Sequence, residues 1–146
     1  MAKVISVNTS VKKGTRKHPV DQIELACEGG VVGDSHGDLI NRQVSFLADE
    51  SIDKMRPVLP TLASGDFAEN ITTTGIELHT LPVGTLLQVG PVRFEVTQIG
   101  KECHAGCEIR KIVGSCIMPT EGIFAKVIVP GTVKAGDKVE VLKNAA

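Results

Sequence analysis

The stretch that decides the fold runs Leu86-Leu-Gln-Val-Gly-Pro-Val-Arg-Phe-Glu-Val-Thr-Gln98. Apolar and polar side chains alternate on both sides of Gly90 and Pro91, and a period of two is typical of strands that bury one face. Glycine next to proline favours a tight turn between the two runs. The stretch therefore predicts a β-hairpin.

Short runs of this kind recur along the whole chain. They are separated by 15 glycines and 7 prolines, and no internal repeat or low-complexity tract interrupts them. The pattern predicts strands at 3–8, 22–27, 43–47, 70–73, 86–89, 92–98, 122–129 and 138–142, and helices at 48–55 and 107–113. Many short strands with turn signals fit a barrel or a sandwich. We expect one mainly β domain over residues 1–146, with a β-barrel and a few short helices.

Composition limits the classes of function. The chain has 146 residues and a net charge of −1, so long-range electrostatics give it no general attraction to nucleic acid or to membranes. It has no Trp, no Tyr and four Phe, which argues against base stacking on aromatic side chains. No apolar run approaches the roughly 18 residues of a membrane helix, and we expect no secretory signal. We expect a cytoplasmic protein with reduced cysteines.

Soft side chains gather directly after the second strand of the hairpin. Cys103-His-Ala-Gly-Cys107 follows a turn at Gly100 and Lys101. Lys101 and a helix N-terminus near Gly106 would both favour a thiolate. Cys103 is the best candidate for that thiolate because it lies nearest to the end of the strand.

The cysteine group has four interpretations. A structural zinc site could draw its four ligands from Cys103, His104, Cys107 and Cys116. Zinc motifs usually contain two closely spaced ligand pairs, however, and the second pair is missing here. A redox dithiol fits poorly, since three residues rather than two separate the first pair and no βαβ pattern surrounds it. Burial as small apolar side chains is a further interpretation, for Cys27 and Cys116 in particular. The fourth is one functional thiolate bound to a soft metal, and the residues alone leave this choice open.

A second polar segment is Gly33-Asp34-Ser-His36-Gly37, which is followed by Arg42. The glycines allow sharp turns, and a polar turn that leads into a strand can bind an anion or a small polar ligand. Such turns are plain surface loops in most proteins, and a lone His36 in one is more often a surface histidine than a ligand.

The third polar segment surrounds Glu69, Asn70 and Thr72. An amide, hydroxyls and a carboxylate could together read the heterocycle of a ligand. They could equally belong to a strand whose polar side chains face water.

Six elements taken together resemble one known family, the MOSC domain, which is named for the C-terminal domain of molybdenum cofactor sulfurases. The elements are Gly33-Asp34-x-His36, Arg42-Gln-Val44, Gly65-Asp-Phe-x-Glu69-Asn-Ile-Thr-Thr-x-Gly75, Leu81-Pro-Val-Gly-Thr85, Cys103 after a strand, and Gly131-Thr-Val-Lys-Ala-Gly-Asp137. The similarity runs in order from about residue 3 to residue 142, nearly the whole chain.

The resemblance implies a barrel-containing β fold that binds the pyranopterin molybdenum cofactor. A cysteine in this family is the metal-linked or sulfur-carrying residue, and by position it corresponds to Cys103, the expected catalytic residue and metal ligand. The resemblance and the residue types together suggest a cofactor-binding set of Cys103, Lys101, Asn70, Glu69, Thr72, Arg42, His36 and Asp34.

Three functions follow as hypotheses. The leading one is a domain that carries, matures or delivers the cofactor or its terminal sulfur through a thiolate or persulfide, with a molybdopterin-biosynthesis enzyme or a molybdoenzyme acceptor as partner. Residues 1–146 contain no cysteine-desulfurase sequence, so pyridoxal phosphate is expected only on a partner protein. The second is a molybdenum-dependent reductase of N-hydroxylated compounds. The third is a non-catalytic binding module with structural or zinc-bound cysteines. The sequence leaves open the oligomeric state and the roles of Cys107 and Cys116.

Overall fold

The computed structural model describes residues 2–9, 18–27, 30–32, 44–53, 57, 69–99 and 122–143. Within these ranges the chain forms eleven strands, one α-helix and one 3-10 helix. They are β1 Lys3–Thr9, β2 His18–Val20, β3 Gln22–Ala26, β4 Gly30–Val31, β5 Val44–Ala48, α1 Asp49–Asp53, β6 Ile71–Thr74, the 3-10 helix Leu78–Thr80, β7 Leu86–Val89, β8 Val92–Ile99, β9 Ile123–Val129, β10 Gly131–Lys134 and β11 Val139–Lys143.

The strands form two sheets. The larger has eight strands in the order β11-β7-β8-β9-β5-β6-β1-β2, and the smaller has the order β10-β3-β4. The pair β5 and β6 is parallel, and the other pairs in both sheets are antiparallel. The predicted hairpin is confirmed as β7 and β8, with Val89 opposite Val92 and Gly90 at φ 55°. A Cβ on Gly90 would lie 2.6 Å from Asp137 Oδ2, so both the positive φ and the nearby side chain favour glycine there.

The predicted mainly β fold with few helices is confirmed, but no sheet in the described ranges closes into a barrel. The sheet curves far enough for Val4 N to donate to Asp137 O (2.8 Å) and for Gly136 N to donate to Val4 O (2.7 Å). The edge of β1 that does not pair with β6 has two different partners, however. β2 pairs with its second half, whereas the segment before β11 contributes a single bridge, Lys3 to Lys138, at its start. Two short partners on one edge do not make the continuous ladder that barrel closure requires.

The core lies on one face of the eight-stranded sheet, against the smaller sheet. Alternate residues of β5, Val44, Phe46 and Ala48, point into it and are 4% exposed or less. Phe46 packs edge to face on Phe94, with ring centroids 5.1 Å apart and an interplanar angle of 88°. The smaller sheet contributes Ile23, Leu25, Val31 and Val133 to the same cluster.

The eight predicted strands are all present, each within one residue of its predicted ends. β2, β4 and β10 were not predicted. The predicted helix at 48–55 is represented by α1, in which Ser51 and Ile52 are buried, and the predicted helix at 107–113 lies outside the described residues. In the described part of the chain no helix has the length and apolar character to cross a membrane.

Two neighbouring threonines on β6 face opposite sides of the sheet. Thr73 pairs with Val4 and Ala48, which both belong to the core, so its side chain points into apolar surroundings. Thr73 is fully buried, and among the described residues its hydroxyl has no hydrogen-bond partner. A buried hydroxyl without a partner is unfavourable.

We therefore expect Thr73→Val to raise the free energy of unfolding by roughly 1–2 kcal/mol, because the new methyl group keeps the shape of the side chain and removes the buried hydroxyl. Urea unfolding of both proteins, followed by circular dichroism, measures the difference. A variant less stable than the natural chain would contradict this description of the core.

Candidate functional site

Polar side chains are buried on the face of the eight-stranded sheet that points away from the core. Alternation places Asn8 of β1, Thr72 of β6 and Ser45 of β5 on this face, since Val7, Ile71 and Phe46 point into the core. We call these three residues, together with Ser6, Glu69 and Asn70, the polar cluster. All of them except Ser6 are buried.

Asn70 joins the two strands on either side of β6. Its backbone N donates to Ser45 O (3.0 Å), and its backbone O accepts from Asn8 N (2.7 Å). Its side chain repeats both links: Oδ1 accepts from Ser45 N (3.0 Å) and from Ser45 Oγ (3.1 Å), and Nδ2 donates to Asn8 O (3.3 Å). The amide is therefore engaged with the backbones of β5 and β1.

Glu69 lies at the end of a directional chain of hydrogen bonds. Ser6 Oγ donates to Asn8 Oδ1 (2.8 Å), and Asn8 Nδ2 donates to Thr72 Oγ1 (3.1 Å). Thr72 Oγ1 then donates to Glu69 Oε2 (2.8 Å). An amide NH₂ can only donate, so the Thr72 hydroxyl accepts from it and has its own hydrogen left for the carboxylate. Asn8 Nδ2 also donates to the Glu69 backbone O (3.2 Å), which ties the backbone and side chain of Glu69 to β1.

Among the described residues that carry a charge, Glu69 is the buried one. A carboxylate removed from water must be compensated by hydrogen-bond donors or positive charge. The described residues contain no group of three or more His, Cys, Asp and Glu side chains that could hold a metal ion. The donors and acceptors of the polar cluster are oxygens and amide nitrogens, which suit a polar organic group better than a soft metal.

The structure brings together three of the predicted site residues, Glu69, Asn70 and Thr72. The other five, Asp34, His36, Arg42, Lys101 and Cys103, lie outside the described residues. The cluster also contains Ser6, Asn8 and Ser45, which were not predicted. Asn8 and Thr72 are 64 residues apart in sequence, and only the pairing of β1 with β6 brings them into contact.

The interpretation of Cys27 as a buried apolar side chain is wrong. Cys27 follows β3 in a turn, where its side chain is exposed and its Sγ lies 3.5 Å from Ile128 O. A residue that has left the strand no longer alternates between core and solvent, so the strand pattern did not apply to it. The other three cysteines lie outside the described residues.

Residues 28–140 match the family model of the MOSC domain. The chain belongs to the MOSC domain family. No curated protein matches it in sequence.

Solved structures share the fold of this MOSC domain. The YUAD protein from Bacillus subtilis superposes with a TM-score of 0.81 at 18% identity, over 97% of this chain and 96% of that one. YiiM from Geobacillus stearothermophilus gives 0.78 at 16% identity, over 98% of this chain and 76% of that one. YiiM from Escherichia coli gives 0.74 at 21% identity, over 100% of this chain and 72% of that one.

Because Asn70 bonds to both neighbouring strands, we expect the loss of its side chain to destabilise the fold more than the loss of the Ser45 hydroxyl. Asn70→Ala removes the side-chain links to both neighbouring strands, and we expect it to lower the free energy of unfolding by about 2–4 kcal/mol, because buried groups on both strands lose a partner. Ser45→Ala removes only a hydroxyl, while Ser45 N still reaches Asn70 Oδ1, so we expect about 1 kcal/mol. Urea unfolding gives both values, and equal losses would contradict the bridging role of Asn70.

Proposed function

We propose that this MOSC domain binds the pyranopterin molybdenum cofactor and carries, matures or delivers it, or its terminal sulfur, through the thiolate of Cys103. The observation that carries the proposal is the polar cluster, in which a buried carboxylate is fixed by a chain of donors on one face of the sheet. The family to which the chain belongs supports the choice of cofactor.

The donor set of the polar cluster fits the organic part of this cofactor. A pterin has N–H and NH₂ donors and a carbonyl acceptor on its pyrimidine ring, and groups of this kind are bound by carboxylates, amides and hydroxyls. When bound, the cofactor supplies a molybdenum centre that is held mainly by the dithiolene sulfurs of the pterin. A single soft thiolate from the protein complements such a centre, and Cys103 is the candidate for it.

The strand order supports the assignment of Cys103, because β8 ends close enough to the polar cluster for the following residues to span the distance. Ile71, Phe46, Ile123 and Ile99 pair in succession, so they form one row across β6, β5, β9 and β8. Three steps between neighbouring strands separate Ile71 from Ile99 by about 14 Å. Cys103 follows Ile99 by four residues, which extend over at most about 14 Å. A thiolate on Cys103 can therefore meet a ligand that rests on the cluster.

The remaining predicted residues complete the proposed site. Arg42 precedes β5 by two residues, and β5 contributes Ser45 to the cluster; Lys101 lies two residues before Cys103. Both are cations suited to the cofactor phosphate, Arg42 through paired hydrogen bonds. Asp34 and His36 are proposed to add polar contacts. The partner that follows from a carrier role is an enzyme that makes molybdopterin or an apo-enzyme that accepts the cofactor.

The proposal predicts that chain purified from molybdate-fed cells contains near-stoichiometric molybdenum together with pterin. Because the polypeptide has no Trp and no Tyr, the near-ultraviolet absorbance of such a preparation belongs almost entirely to the ligand. We expect Cys103→Ser to lose most of the molybdenum, because the protein ligand is gone, and the matched variant Cys107→Ser to retain it. Metal analysis and absorbance spectra measure both.

Zinc as the bound metal, or full molybdenum retention in Cys103→Ser, would contradict the proposal. Turnover of an N-hydroxylated substrate with a chemical reductant separates the two molybdenum functions. Loaded protein without turnover supports a carrier, and turnover by the loaded chain would replace the carrier with a reductase.

A further inference from the structure

We draw no further inference here: the strongest candidate, the outer edge of β11 with the exposed side chains of Val141 and Leu142, carries none because nothing in the described part of the chain shows what covers it.

Discussion

The amide of Asn70 is the interaction on which the centre of this structure depends. It lies between β5, which runs parallel to β6, and β1, which runs antiparallel to it, and it bonds to the backbone of each. The parallel pair is joined through a connection rather than a tight turn, so local turn geometry does not set its register. A slip of one residue along β6 would move Thr72 into the core and Thr73 out of it. The amide opposes that slip on both sides at once.

This constraint links stability to the proposed ligand site. The same register that buries Ile71 in the core brings Asn8 beside Thr72, and Thr72 beside Glu69, on the opposite face. A buried carboxylate contributes little to stability by itself and reduces it when its partners are missing. The stability of a fully buried Glu69 therefore depends on the side chains of β1 and β6 that bond to it.

Local patterns were sufficient for most of the fold. Alternation and turn residues located eight strands within one residue, because each of them contributes apolar residues to the core from one face. β2 and β4 have three and two residues, too few to show the alternation of a strand. β2 also contains Pro19, and proline within a run argues against a strand. β10 has four residues and begins at Gly131, and glycine favours a turn over a strand in the sequence pattern. Barrel closure was expected and is not seen among the described residues. It depends on how β2 and the segment before β11 share the edge of β1, and no local sequence pattern encodes that contact.

Part of the site was predictable, because the sequence shows residue types but does not show strand register. Residue type alone indicated Glu69, Asn70 and Thr72, because a carboxylate, an amide and a hydroxyl around one strand suggest ligand contact. Asn8 and Ser45 required knowledge of the strand register, since they lie 62 and 25 residues from Asn70 in sequence. The sequence also could not show that the Asn70 amide bonds to its neighbouring strands.

The central claim is that a pterin-held molybdenum on this sheet receives one thiolate from the protein. X-ray absorption at the molybdenum edge, measured on the loaded chain and on Cys103→Ser loaded in the same way, tests it directly. The account predicts one more sulfur around molybdenum in the natural chain than the dithiolene supplies, and its loss in the variant. Identical sulfur shells in the two proteins, or a natural chain with dithiolene sulfur alone, would contradict it.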